Sequence, residues 1–172
     1  AFTGTNGKTT CSQLYAQLLA SVSIGGEVAK SAYIGTAGYA AVEPKSKSNA
    51  KTVFADRRSG HQLTTPDAVA AQRILAELAN SGSHYIALEA SSHSLVQQRL
   101  QAVQIDTAVF TNLSRDHLDY HQTIENYAAA KASLFALPSV KTAIINLDDA
   151  VGEQIITGLR ADISLLTYSL EN

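Results

Sequence analysis

Near the start of the chain, Gly4-Thr5-Asn6-Gly7-Lys8-Thr9-Thr10 contains the residue types needed to grip a polyphosphate. Glycines let a loop turn tightly enough for backbone N–H groups to face one anion. A helix opening directly after the loop adds the partial positive charge of its N-terminus. Lys8 then supplies a full charge for β- and γ-phosphates, and the Thr9 hydroxyl suits Mg²⁺. The general pattern G-x-x-x-x-G-K-[ST] is not met, because it needs a glycine where this chain has Phe2. The loop is the shorter G-x-x-G-K-T, and the plainer alternative is a loop that only turns the chain.

A second set of candidates follows two apolar strand-like runs. Glu89 closes the first, where a carboxylate is costly unless it is paired or metal-bound. Asn112, Asp116, His117, Asp119 and His121 follow the second. Glu89 and the Thr9 hydroxyl offer hard oxygen donors to a magnesium ion carrying nucleotide phosphates. His117 and His121 are spaced H-x-x-x-H, which also fits zinc on one helix face. With a phosphate loop present magnesium is favoured, and His121 is then a residue that hydrogen-bonds locally.

Lys131 is the third candidate. The helical pattern Ile124, Tyr127, Ala128, Leu134, Phe135 forms an apolar stripe with Lys131 in its middle. A lysine there either snorkels to water or is buried. Periodicity alone favours snorkelling. Burial would favour the neutral amine, which is reactive and can take up CO₂ as a carbamate, turning a cation into an anionic metal ligand.

The elements that must position these residues alternate in kind. Ala1 to Thr3 reads as the end of a strand. Thr9 to about Ser23 reads as a helix with Leu14, Leu18, Leu19 and Val22 inward, stopped by Gly25-Gly26. Val28 to Ile34 reads as a strand. Tyr39 to Leu63 is polar and irregular and reads as a surface loop or weak hairpin. A helix follows, with Thr65 as cap, Pro66 at its first position, Asp67 in its first turn, and Val69, Ile74, Leu75 and Leu78 inward to Gly82. Strands are expected at Tyr85–Leu88, Thr107–Phe110, Thr142–Ile145 and about Ile163–Thr167. Helices are expected at Ile124–Leu137, closed by Pro138, and about Ala150–Leu159. This is an α/β pattern: a mostly parallel sheet with helices on both faces, of the P-loop NTPase kind, with ligands beyond the carboxyl ends of the strands.

Composition narrows the class. The chain has 172 residues, enough for one core and one domain. Apolar residues make up 45% and charged residues 16%, the balance of a globular rather than a disordered chain. A net charge of -2 leaves no broad basic surface for nucleic acid. The one cysteine, Cys11, cannot form an internal disulfide, and no apolar run reaches the length that spans a bilayer. An opening in mid-junction points to a segment of a longer protein.

Taken in order, the phosphate loop, Leu63-Thr64-Thr65-Pro66-Asp67, Glu89-Ala90-Ser91-Ser92-His93-Ser94-Leu95, Thr111-Asn112-Leu113-Ser114-Arg115-Asp116-His117-Leu118-Asp119 and Ala130-Lys131 resemble the Mur ligase family, with Asn146-Leu147-Asp148-Asp149 as a sixth segment. The second to fourth segments look most like the MurE type. The resemblance implies that residues 1–172 are the central ATP-binding domain of a three-domain cytoplasmic enzyme, without its N-terminal UDP-binding and C-terminal amino-acid-binding domains. Such enzymes use ATP and Mg²⁺ to activate a carboxylate of a UDP-MurNAc-peptide as an acyl phosphate, which an amino acid's amine then attacks. For this type the implied partners are UDP-MurNAc-L-Ala-D-Glu and meso-diaminopimelate or L-lysine. The Ser91-Ser92-His93 run leans to the former amino acid.

Carried over by position, the resemblance implies nucleotide binding by Gly4, Thr5, Asn6, Gly7, Lys8, Thr9, Thr10 and Asn112. It implies metal binding by Thr9, Glu89, His117 and Lys131 as a carbamate, with catalytic roles for Lys8, His117 and Lys131. Substrate contacts would come from Thr64, Thr65, Ser91, Gln97 and Arg99. Leu63 departs from the family, where many members have Asn. The rival readings are a folylpolyglutamate-synthetase-like ligase, a non-catalytic nucleotide-binding module, and a zinc hydrolase using His117 and His121.

Overall fold

The computed structural model describes residues 1–42 and 63–170. In chain order its elements are β1 (Phe2–Thr3), α1 (Lys8–Leu19), β2 (Ser23–Ile24), β3 (Glu27–Val28), β4 (Ser31–Gly35), β5 (Gly38–Val42), α2 (Ala68–Asn80), β6 (Tyr85–Leu88), α3 (Ser92–Val96), β7 (Thr107–Phe110), α4 (Leu118–His121), α5 (Ile124–Ala132), β8 (Thr142–Asn146), α6 (Ala150–Thr157) and β9 (Ser164–Tyr168). They fall into two units, Ala1–Lys8 with Ala90–Asn172, and Thr9–Glu89.

The first unit is built on a parallel sheet in the order β1-β7-β8-β9. Parallel neighbours need long return connections, and α4 with α5, then α6, supply them. The centre of the sheet is apolar: Ala108, Val109, Phe110, Ala143 and Ile145 are buried, with Phe2 beside them on β1. The helices α3 and α5 pack on one another. Helix α6 is capped by Asp149, whose side chain accepts from the Val151 N–H at 2.9 Å.

The second unit carries a sheet in the order β5-β4-β6, antiparallel for β4–β5 and parallel for β4–β6. Strand β4 is buried along its whole length. Strands β2 and β3 form a separate small hairpin around Gly25 and Gly26. The fold is of the expected α/β type, with an all-parallel sheet in the first unit and a mixed sheet in the second, each accompanied by helices.

Several elements differ from the sequence expectations. Helix α1 stops at Leu19, and its expected inward stripe faces out: Leu14 is 58% and Leu18 62% exposed. The buried positions are Ser12, Ala16 and Ala20, spaced i, i+4, i+8. The reason is close approach, since the Ser31 hydroxyl on β4 donates to the Ala16 carbonyl at 2.6 Å. Only small side chains fit there. The expected strand Val28–Ile34 is split between β3 and β4.

Thr65 does not cap α2. Its hydroxyl donates to the Glu89 carbonyl at 2.7 Å, and Asp67 caps instead, accepting from the Ala70 N–H at 2.8 Å. Val69 is 81% exposed rather than inward, while Ala71, Ile74 and Leu78 are buried. Part of the stretch read as irregular is strand β5, and the remainder to residue 62 lies outside the described residues. Helix α5 ends at Ala132, and tight i→i−3 turns run on to Leu137. Pro138 disfavours helical backbone in the residue before it. Helices α3 and α4 had no clear periodic signal because they are only 5 and 4 residues long.

Two substitutions separate the observed packing of α1 from the expected one. Ala16→Leu forces extra volume into the contact with Ser31 and lowers stability by about 1–3 kcal/mol. Leu18→Ala changes it by less than about 0.5 kcal/mol. Urea unfolding of the two variants reads both values, and the reverse ranking would show that the leucine face is the packed one.

Candidate functional site

Residues of the phosphate loop that lie in the first unit are held on the carboxyl end of β7. The Thr5 N–H donates to the Asn112 carbonyl at 2.8 Å. Asn6 and Asn112 bond reciprocally, Asn6 N–H to Asn112 Oδ1 at 3.0 Å and Asn112 Nδ2 to the Asn6 carbonyl at 3.2 Å. Thr111 adds its hydroxyl to the same Asn6 carbonyl at 2.7 Å. Gly4, at φ 151, lies so close to β7 that a Cβ would overlap the Thr111 hydroxyl. No side chain fits there, which gives the first glycine of the loop a steric reason.

Lys131 is 1% exposed, so it is buried and does not snorkel. Its Nζ donates to the Gly4 carbonyl at 2.7 Å. Lys8 donates to the same carbonyl at 2.9 Å and to the Thr5 carbonyl at 3.1 Å. Burial first, and the neighbouring Lys8 ammonium second, pull the Lys131 amine down to about 7, against the weaker opposite pull of Asp116. A neutral fraction at ordinary pH follows, which a snorkelling lysine would not have.

His117 and His121 are not alike. His117 opens α4 with left-handed backbone, φ 52, and a half-exposed ring 3.7 Å from the Asp116 carboxylate. His121 is buried, and its Nε2 lies 2.9 Å from the Ser92 hydroxyl. Burial, followed by His93 and His117, holds the His121 ring below the usual histidine range. This is the local hydrogen-bonding role expected for it. Among the described residues no group of three or more His, Cys, Asp and Glu side chains is placed to hold a metal ion.

Of the proposed substrate residues in this unit, Ser91 caps α3, accepting from the Ser94 N–H at 3.2 Å. Gln97 and Arg99 are joined, Arg99 Nε donating to Gln97 Oε1 at 2.9 Å, and Gln97 Nε2 reaches the Tyr120 hydroxyl at 3.3 Å. Arg99 Nη2 donates to the same oxygen, so the Nε–Nη2 edge of the guanidinium is turned to Gln97, which fixes its plane.

The second unit has its own charged centre. Glu89 is 0% exposed and each of its carboxylate oxygens takes two donors. The Tyr33 hydroxyl and the Thr36 N–H, at 3.0 Å, serve Oε1. The Thr9 and Thr36 hydroxyls, at 2.9 and 3.1 Å, serve Oε2. Burial, then the bond to Glu89, pushes the Tyr33 hydroxyl well above the usual tyrosine range, so it stays a donor. A Cβ on Gly35 would run into this carboxylate. The Thr64 hydroxyl lies 3.2 Å from the Thr36 hydroxyl and, with the Thr36 proton on Glu89, is the donor of that pair. The buried hydroxyl of Thr65 is committed to the Glu89 carbonyl, while Thr10 on α1 is exposed. Thr9 with Glu89 makes an all-oxygen donor pair that fits a hard divalent cation.

Tyr33, Thr36 and Tyr127 were missed by the sequence reading. Tyr33 and Tyr127 look like ordinary apolar positions of a strand and a helix, and Thr36 lies in no motif.

The description of the Mur ligase middle domain matches residues 2–172. Over 167 residues the chain is 44% identical to the UDP-N-acetylmuramoyl-L-alanyl-D-glutamate–2,6-diaminopimelate ligase of Coxiella burnetii, covering 97% of this chain and 30% of that one. It is 47% identical over 168 residues to the ligase of the same name from Pseudomonas aeruginosa, covering 98% and 31%. A solved structure titled as that ligase superposes with a TM-score of 0.78 at 41% identity, over 99% of this chain and 31% of the other. The chain therefore spans about 30% of the length of the relatives it matches.

The buried amine makes stability depend on pH in a defined direction. Native Lys131 releases its proton near 7, whereas in the unfolded chain it does so near about 10.4. Between those values the unfolded state binds more protons, so stability rises with pH at up to about 1.4 kcal/mol per unit. In CO₂-free buffer, denaturant unfolding at pH 7 and pH 9 should show this rise for the native chain relative to Lys131→Met. An equal response of the two would mean that the amine is not held neutral.

Proposed function

The chain belongs to the Mur ligase family, and on that premise we propose that it is the central, ATP-handling domain of a longer enzyme of the MurE type. That enzyme joins the third amino acid to UDP-MurNAc-L-Ala-D-Glu, with meso-diaminopimelate as the incoming residue. The amino acid follows the relatives' names and the lean of the Ser91-Ser92-His93 run. A UDP-binding domain before this segment and an amino-acid-binding domain after it complete the enzyme. Coverage of only about 30% of the relatives supports that division.

The observation that carries the proposal is the buried Lys131 amine on the carbonyl of the first phosphate-loop glycine. A module that only binds nucleotide has no need of a reactive amine there. A folylpolyglutamate-synthetase-like enzyme could share it, but the Ser91, Gln97 and Arg99 set on and after α3 favours a muramoyl peptide.

The reaction divides into two displacements. A carboxylate oxygen of the acceptor's D-Glu attacks the γ-phosphorus of ATP, and ADP departs. The amine of the incoming amino acid then attacks the acyl carbon, losing a proton as phosphate leaves. The Gly7 backbone N–H and the Lys8 ammonium would hold the phosphates, while the Thr5 and Asn6 N–H groups are given to Asn112, which fixes the loop. An open hollow of about 540 Å³ bordered by Ser114 and Arg115 leaves room for the nucleoside.

Thr9 with Glu89 would hold one magnesium ion, and His117 with Lys131 a second. Lys131 becomes a ligand only as its carbamate, formed when the neutral amine attacks CO₂ and loses a proton. Magnesium supplies charge neutralisation for the crowded phosphates. In the first unit Arg99, held by Gln97, would take a substrate carboxylate with Ser91 nearby in the chain, and in the second unit Thr64 and Thr65 would contact the muramoyl peptide.

Two measurements test this reading. The isolated 172-residue chain should give no ATP-dependent ligation of UDP-MurNAc-L-Ala-D-Glu to meso-diaminopimelate, followed by chromatography of the product. In the complete ligase, Lys131→Ala should lower the rate by about a hundredfold or more, with no recovery in excess bicarbonate. Near-normal turnover by that variant would remove the proposal's basis.

A further inference from the structure

Tyr127 belongs to none of the motifs, yet it touches both the phosphate loop, at Thr5, and Lys131. It lies on α5 one turn before Lys131, and residues four apart share a helix face. Its side chain is 1% exposed. The Lys131 Nζ sits over its ring, 4.3 Å from the centroid. Its hydroxyl is 3.1 Å from the Thr5 hydroxyl, which in turn accepts from the Ser114 N–H at 2.9 Å. His117 meets the ring edge-on with centroids 5.9 Å apart.

The ring is itself braced. His121 lies against it with centroids 5.0 Å apart, and His121 is held by Ser92. Asn126, the preceding residue, donates its Nδ2 to the His121 carbonyl at 3.0 Å. Thr123 caps the helix from below, accepting from the Asn126 N–H at 3.1 Å. Tyr127 therefore cannot swing without disturbing α4 and the start of α5. Its hydroxyl is kept protonated, because burial, against the opposing bond from Thr5, moves it above the usual tyrosine range.

We infer that Tyr127 is a positioning residue for ATP: its hydroxyl sets the Thr5 segment of the phosphate loop against α5, and its ring is the wall that aims the Lys131 side chain at Gly4. The inference rests on the functional reading above, which makes the loop the nucleotide-phosphate site. The two parts of the side chain have separable effects. The hydroxyl acts on how the loop meets phosphates, hence on nucleotide affinity. The ring acts on Lys131, hence on turnover.

The test uses the complete ligase with three variants. Tyr127→Phe keeps the ring and removes one hydrogen bond, so KM for ATP and the calorimetric Kd for Mg·ADP should rise about three- to tenfold. The KM for the UDP-linked acceptor and kcat should stay within about twofold. Thr5→Val removes that link together with two bonds to Ser114, so it should raise the Kd for Mg·ADP at least as much, and the double variant should be no worse than Thr5→Val alone. Tyr127→Leu should also lower kcat by at least about tenfold.

Unchanged Kd and KM for ATP in Tyr127→Phe, or additive losses in the double variant, would overturn the inference. A uniform loss of folded protein across the variants, read by thermal melting, would equally overturn it in favour of a purely structural role. Lys131→Ala, run in parallel, keeps the two ideas apart. If it is dead while Tyr127→Phe behaves as wild type, only the role of Tyr127 falls.

Discussion

A lysine amine withdrawn from water loses more than any single contact returns unless it finds an acceptor or gives up its proton. In this chain Lys131 does both at one atom, the carbonyl oxygen of Gly4. Much of the first unit follows from that constraint. Gly4 must sit flat against β7, which no residue with a Cβ could do. The loop must then be pinned to β7 by backbone and amide bonds, which Asn112 and Thr111 provide. Helix α5 must present its buried face at the right height, which Tyr127 and the braced His121 secure.

The second unit solves the mirror problem for an anion. Glu89 is buried, and its two carboxylate oxygens take four donors from Tyr33, Thr36 and Thr9. Hydrogen bonds to an ionised acceptor are roughly twice as strong as neutral ones, so four of them offset a large desolvation cost. The cost of this arrangement is paid in sequence freedom. Gly35 has no room for a side chain, and Thr65 is tied to the Glu89 backbone. Residues that look like substrate or cap positions therefore also have structural duties, and Thr65 is the clearest case.

Both centres put ionisable groups where a strand ends, which is where α/β proteins place their chemistry. Each also surrounds its group with partners fixed by the fold, the Gly4 carbonyl for Lys131 and four donors for Glu89. Dipoles held in place by the fold act strongly because they need no reorganisation.

Motif chemistry was open to reading from residue order alone. The loop Gly4 to Thr10, the strands Tyr85–Leu88 and Thr107–Phe110, the carboxylate that follows the first of these and the Asn112 that follows the second are local in the chain. Their types and spacing carry the meaning. So did the α/β alternation, because strand and helix periods are local properties. What residue order left undecided was which face of a helix is buried and which polar group each hydroxyl serves. Leu18 and Ala16 are equally compatible with a helix, and only the approach of Ser31 selects the alanine. Lys131 is equally compatible with snorkelling, and only the position of Gly4, 127 residues away, makes burial stable. Periodicity records how a segment would bury itself against a generic surface. The partner atoms that decide burial of a small or charged side chain are distant in sequence, so only the folded chain could supply them.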